Sequence, residues 1–157
     1  MQSSNTYLPI GSRRSILKAV ASGVALSIVP NGRARATPDS LAIALRETFG
    51  EAEIRPGRVH LEIALIAEDG GIVPATVRVD SPMTEADHVT EIHLFSEKNP
   101  LPRIAAFALG SANGRAQVST RIRLADSQRV IAIARLNDGS LWSDEAQVEV
   151  SLAACGG

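Results

Sequence analysis

The chain has 157 residues, enough for one domain, with 45% hydrophobic and 21% charged residues and a formal net charge of −1. Aromatic residues make up only 3%, so a core must be built from Val, Ile, Leu and Ala. No apolar run reaches the roughly 18 residues that a membrane-spanning helix needs.

The first 36 residues read as an export leader. Arg13 and Arg14 form a basic region, "AVASGVALSIV" (19–29) a short and mildly apolar one, and Ala34-Arg35-Ala36 a small-x-small cleavage site. The stretch "SRRSILK" fits the twin-arginine type, a receptor-read address and not an anchor. Cleavage after Ala36 leaves 121 residues. The leader holds five basic residues (Arg13, Arg14, Lys18, Arg33, Arg35) and no acidic one. Its loss therefore leaves 11 basic against 17 acidic residues, a net charge of −6. That charge argues against nucleic acid or an anionic membrane as a partner. Twin-arginine export moves folded proteins, which implies either a cofactor loaded inside the cell or a partner bound before export. No cofactor motif is found, so the partner gains weight.

Residues 38–49, "PDSLAIALRETF", predict one short amphipathic helix. Leu41, Leu45 and Thr48 share a face, with Ile43 and Ala44 beside them. Pro38 and Asp39 suit a first turn and Gly50 a stop.

From about residue 58 the hydrophobic period is two. Val73, Ala75, Val77 and Val79 alternate with polar residues or proline, as do Ala116, Val118, Thr120, Ile122 and Leu124, then Ala146, Val148, Val150 and Leu152. "RVIAIARL" (129–136) is nearly continuous and predicts a more buried, central strand. Turn signals at Asp69-Gly70-Gly71, Asn113-Gly114 and Asp138-Gly139 lie between strand-like runs. Pro100 and Pro102 mark a loop or a broken edge strand. About seven strands result: 58–66, 72–80, 88–96, 103–109, 115–124, 129–136 and 141–152. Their number and spacing predict an all-β, immunoglobulin-like β-sandwich preceded by one short helix. One cysteine rules out the usual inter-sheet disulfide. The domain runs over 37–150, and a flexible C-terminal arm over 151–157.

Catalytic constellations are not found. His88 and His93 are five apart, which on one strand puts them on opposite faces. With His60 they are expected to be ordinary surface or edge histidines, and no metal-ligand spacing occurs. There is no glycine-rich phosphate loop and no G-x-S-x-G elbow. The acidic residues sit in turns and on outward strand positions, as on a solvated surface. The chain is not expected to be an enzyme.

Cys155 stands apart. It is an odd thiol in a chain that reads as exported, which flags a reactive thiol or an intermolecular disulfide; an incidental cysteine is the plain alternative. Its neighbours Ala153, Ala154, Gly156 and Gly157 offer no large side chain to bury it. No helix N-terminus or nearby lysine favours its thiolate. Such a thiol suits a handle on which other proteins act, since a narrow peptide can enter a cleft.

Three stretches carry a family resemblance: "VDSPMTEADHVTEIHLFSEKNPLPRIAAF" (79–107), "GRAQVSTRIRLADSQRVIAIARLNDGSLW" (114–142) and the final "CGG". With the twin-arginine leader they resemble the SoxY family, sulfur-carrier subunits of the periplasmic thiosulfate-oxidising system. The resemblance spans the whole mature chain. It implies an immunoglobulin-like sandwich paired with a second small β-protein, SoxZ, which has no export signal of its own and leaves with its partner. It also implies that Cys155 is the covalent attachment site for thiosulfate-derived sulfur. Partner Sox enzymes load the thiol, hydrolyse off sulfate, oxidise the remaining sulfur and hydrolyse again; the carrier has no active site and no cofactor. The family tail is typically GGCGG, so Ala153 and Ala154 depart from it and predict a stiffer arm. The alternative is a non-catalytic β-sandwich adaptor whose Cys155 only forms an intermolecular disulfide.

Overall fold

The computed structural model describes residues 38–152. The leader with Arg13 and Arg14 lies outside the described residues, as do Ala153, Ala154, Cys155, Gly156 and Gly157.

Helix α1 (Pro38–Phe49) forms where its periodicity predicts. Leu41 and Phe49 are buried, and Ala44, Leu45 and Thr48 are half-buried on the same face. Ile43 was expected beside them and instead faces solvent, 57% exposed. Gly50 ends the helix at a positive φ of 68°, its amide donating to the Arg46 carbonyl over 2.8 Å. This is the left-handed cap that glycine adopts without steric cost.

Among the described residues nine strands follow, not seven: β1 (Ile54–Pro56), β2 (Val59–Ile63), β3 (Ile66–Asp69), β4 (Val73–Val79), β5 (Val89–Ser96), β6 (Arg103–Ala108), β7 (Gln117–Ile122), β8 (Gln128–Leu136) and β9 (Leu141–Leu152). They form an all-β sandwich of immunoglobulin-like type. One sheet runs β1-β9-β8-β5-β6, with β3 also on β9; the other runs β2-β4-β7. Two short strands thus share one side of the long β9, both parallel to it.

The extra strands have physical reasons. The run expected at 58–66 splits because the chain changes sheets at residues 64 and 65. Val59–Ile63 pairs with β4, and Ile66–Asp69 pairs with β9. The alternation Val59, Leu61, Ile63, Leu65 continues through the break and hides it. Ile54–Pro56 is too short to show a period, and its Pro56-Gly57 reads as a turn. Of the three turn signals, only Asp138-Gly139 closes a hairpin, between β8 and β9; the other two carry the chain from one sheet to the other.

Each sheet's inner face supplies the core. Val73, Ala75, Val77 and Val79 of β4 are buried while Pro74 and Arg78 are exposed. They meet Ile92 and Leu94 of β5, Val130, Ala132 and Ala134 of β8 and Val148 of β9. The two outer faces differ. That of the three-stranded sheet is polar, with pairs Arg78 to Glu62 (2.9 Å), His60 to Asp80 (2.8 Å) and Thr76 to Ser119 (2.9 Å). That of the larger sheet carries Phe95, Ile131, Ile133 and Leu141, covered by Leu41, Leu45 and Phe49 of α1. This is why β8 is apolar at successive positions: its two faces serve two cores. Full burial of a side chain of this size contributes about 1.5–3 kcal/mol, so α1 is held chiefly by this contact.

Candidate functional site

The arm itself lies outside the described residues, but the place where it leaves the domain is well defined. Ser151 and Leu152, assigned by sequence to both the last strand and the arm, belong to β9. Parallel pairing with β3 sets Ile66 against Glu149, Ala67 against Val150 and Asp69 against Leu152. Three further bonds fix this end. The Glu149 amide donates to the Leu65 carbonyl (2.7 Å), the Val150 amide to Ser127 Oγ (2.8 Å), and the Gly70 amide to the Leu152 carbonyl (2.8 Å).

Gly70 bonds on both sides, since its carbonyl accepts from the Leu124 amide (2.8 Å) just past β7. The turn that presents it is built by Asp69, whose Oδ1 accepts from the Gly71 amide at 2.7 Å. A Cβ on Gly71 would stand 3.0 Å from that same oxygen. The sequence signal Asp69-Gly70-Gly71 therefore does more than reverse the chain: it clamps the last residue of β9. Cys155 is three residues beyond a fixed point.

The second polar cluster was missed by sequence reasoning. His93 is buried, 6% exposed, beneath α1 and not on the surface as expected. Its Nε2 lies 3.1 Å from Glu91 Oε2, and the same carboxylate oxygen lies 3.1 Å from Arg135 Nε. Arg135 also donates to the Thr48 carbonyl (3.1 Å) in the last turn of α1 and sits 5.3 Å from the Phe49 ring centre. The Phe49 ring meets His93 edge-on at 5.1 Å. Burial arises because α1 covers this face of β5, which strand alternation alone does not reveal. His88 lies before β5, its Nδ1 3.0 Å from the Thr84 carbonyl, and His60 pairs with Asp80 on the other sheet. The three histidines are not brought together. Among the described residues no group of three or more His, Cys, Asp or Glu is placed to hold a metal ion.

The cluster is a clamp for the helix. The His93 hydrogen bond first, and the charge of Arg135 next, hold the Glu91 carboxyl below its usual range against the opposing effect of burial. A depressed carboxylate pKa adds stability above the unfolded range and loses it as pH falls through the folded value. Glu91→Gln is therefore expected to be less stable than wild type near pH 5. The gap should close towards pH 3. Glu91 is 42% exposed, so solvent screening keeps the effect to about 0.5–1 kcal/mol. Denaturation midpoints of both proteins between pH 5 and pH 3 check this; a gap that widens on acidification contradicts it.

Two grooves remain. One of about 420 Å³ opens between β6 and β7, lined by Phe107, Leu109, Asn113, Arg115 and Val118 among others. The other, about 440 Å³, lies between α1 and the loop before β6, with Glu47, Thr48, Leu101 and Arg103. Neither brings a nucleophile against a base. No described helix is long and apolar enough to cross a membrane.

The geometry thus defines a class: a β-sandwich module with a cysteine-bearing segment extending from the clamped end of its last strand. The comparisons specify the family. The family model described as "Sulfur oxidation protein SoxY" matches residues 45–155, which include Cys155, and the chain belongs to that family. The structure of the sulfur carrier protein SoxY from Chlorobium limicola f thiosulfatophilum is similar with a TM-score of 0.61 and 26% identity. The match covers 71% of this chain and 92% of that one. A superoxide reductase (neelaredoxin) from Ignicoccus hospitalis shares the fold alone. Its TM-score is 0.53 at 19% identity, over 60% of this chain and 80% of that one. No curated protein sequence matches the chain.

Proposed function

We propose that this protein is the sulfur carrier of a periplasmic thiosulfate-oxidising system, holding its cargo covalently on Cys155 and working as a complex with SoxZ. The observation that carries this reading is the family match extending through Cys155, set three residues beyond a clamped strand end. A carrier needs a rigid body and a thiol that can enter other proteins.

The chemistry follows from the thiol. Loading joins Sγ to the outer sulfur of thiosulfate, releasing the thiol proton and two electrons to a partner redox enzyme. Hydrolysis then releases sulfate and leaves a persulfide. A partner redox enzyme then takes six electrons from that outer sulfur while water supplies three oxygens, giving a thiol-bound sulfonate, and a second hydrolysis releases sulfate and restores Cys155. In this reading the partner enzymes supply the catalytic groups for these steps and the chain is their carrier. The twin-arginine leader, with Arg13 and Arg14, accounts for export of a folded complex in which SoxZ travels with this chain. Ala153 and Ala154 stand in place of the family's glycines, whose freedom at positive φ alanine lacks.

Intact mass spectrometry of the protein from source cells given thiosulfate, with and without reductant, tests the reading. The expected result is a reductant-labile adduct of sulfur or thiosulfonate mass on the peptide containing Cys155. A bare thiol, or only a disulfide-linked dimer of the chain, contradicts it and favours the adaptor.

A further inference from the structure

Six large aliphatic side chains are strongly exposed among the described residues: Ile43, Leu65, Ile66, Ile72, Leu101 and Leu152. Four of them lie on the elements bonded to the end of β9. Leu152 is its last residue, Ile66 is in register with Glu149, and the Leu65 carbonyl accepts the Glu149 amide. Ile72 is two residues past Gly70, which bonds Leu152. These four are 61–69% exposed. Their positions are held by the strand pairing and bonds described above, so the exposure is built into the fold.

We propose that this apolar collar is the surface on which the enzymes acting on Cys155 dock. The inference rests on the reading of Cys155 as the attachment site. Its argument is reach. Three extended residues carry a Cα at most about 11 Å from the Cα of Leu152. A partner whose reactive centre meets Sγ must bring the rim of its cleft to within about that distance of the strand end. The four apolar residues lie on the elements bonded to that end, so a partner that reaches Sγ comes within range of them. The partner implied is a protein with a shallow cleft and an apolar rim. Four side chains make a small contact, of the kind that suits a transient complex. A carrier served by several enzymes in turn needs each contact to release.

The test replaces three collar residues together, Ile66→Thr, Ile72→Thr and Leu152→Thr, which keeps β-propensity while removing apolar surface. Ile43→Thr, on the solvent side of α1, is the control. Adduct formation on Cys155 is followed by intact mass in source cells given thiosulfate, and the reduced proteins are alkylated with iodoacetamide. The triple variant is expected to load about ten-fold more slowly or worse, as when interface anchors are truncated. Its alkylation rate and melting temperature should match wild type, and the control should load normally. Should the triple variant melt early, Ile72→Thr alone, outside any strand, carries the comparison. Loading at the wild-type rate overturns the proposal. So does a parallel fall in alkylation, which would make the collar a shelter for the thiol, and so does loss of SoxZ from the purified triple variant, which would make the collar the seat of that partner, or loss of a homodimer with loading intact. A wild-type protein that never acquires the adduct overturns the carrier reading itself, and the collar with it.

Discussion

Cys155→Ser is expected to abolish adduct formation and thiosulfate-dependent turnover completely while leaving the folded domain as stable as wild type, within about 0.5 kcal/mol. The loss is total because the cycle needs a sulfur–sulfur bond at that atom, and a hydroxyl can form neither the thiosulfonate nor the persulfide. It is the thiolate of cysteine that makes such bonds, and this is the only cysteine in the chain. The fold should not register the change. Among the described residues, the last hydrogen bonds of β9 are made at Leu152, and its last contributors to the inner core are Val148 and the half-buried Val150. Turnover and a thermal melt of the same preparation decide the matter. Retained turnover in the serine variant would sink the carrier role, whereas an early melt would show that the tail supports the fold.

Much of the fold was legible in the sequence, and what was not follows one physical rule. Alternation reports which face of a strand is apolar but not which sheet the strand joins. Val73 to Val79 and Ala146 to Val150 were read correctly because each of these stretches turns one face toward the inner core. The change of sheet at residues 64 and 65 left the alternation intact and was invisible. Apolar positions in succession at 129–136 announced a central strand, and the structure adds the cause: one face looks into the sandwich and the other under α1. His93 was misjudged for the same reason. A polar residue on the outer face of a sheet reads as solvated until something covers it. The signal that could have found it is Phe49, an aromatic residue in the last turn of a helix that must bury it somewhere.

The site divided differently. Cys155 stands out as the candidate by its isolation and the small residues around it, and it lies outside the described residues. The clamp at its root does not stand out, because Asp69-Gly70-Gly71 looks like any turn and Ser127 like any loop serine. Their value lies in contacts made with β9, about 80 and 20 residues away along the chain respectively, and long-range pairing of this kind leaves no local period to read. The collar was hidden likewise. Leu65, Ile66, Ile72 and Leu152 each sit in a strand-like run where an apolar side chain is the expected occupant.

The second large effect belongs to the layer that α1 adds. Phe95→Ala is expected to destabilise the domain by about 3–5 kcal/mol, a large share of the roughly 5–15 kcal/mol typical of a whole domain. Phe95 is fully buried on the outer face of β5. Its ring centre lies 6.0 Å from that of Phe49 and 6.1 Å from that of His93. Ile131 and Ile133 of β8 belong to the same cluster, so truncation opens a cavity walled by strand side chains that cannot collapse. The consequence should be specific. A helix of 12 residues is marginal by itself in water, so α1 should fray before the sandwich opens. The amides of 41–49 should exchange with deuterium far faster in the variant, and should lose more protection than those of Val130, Ala132 and Ala134, whose side chains line the other core. Ile43→Ala, on the same helix but facing solvent, should change stability by no more than about 0.5 kcal/mol. Equal losses from the two substitutions would mean that α1 is held by its own helical propensity and not by the outer face of the sheet. A small loss from Phe95→Ala with α1 still protected would place the grip in the polar clamp of Glu91, His93 and Arg135 instead.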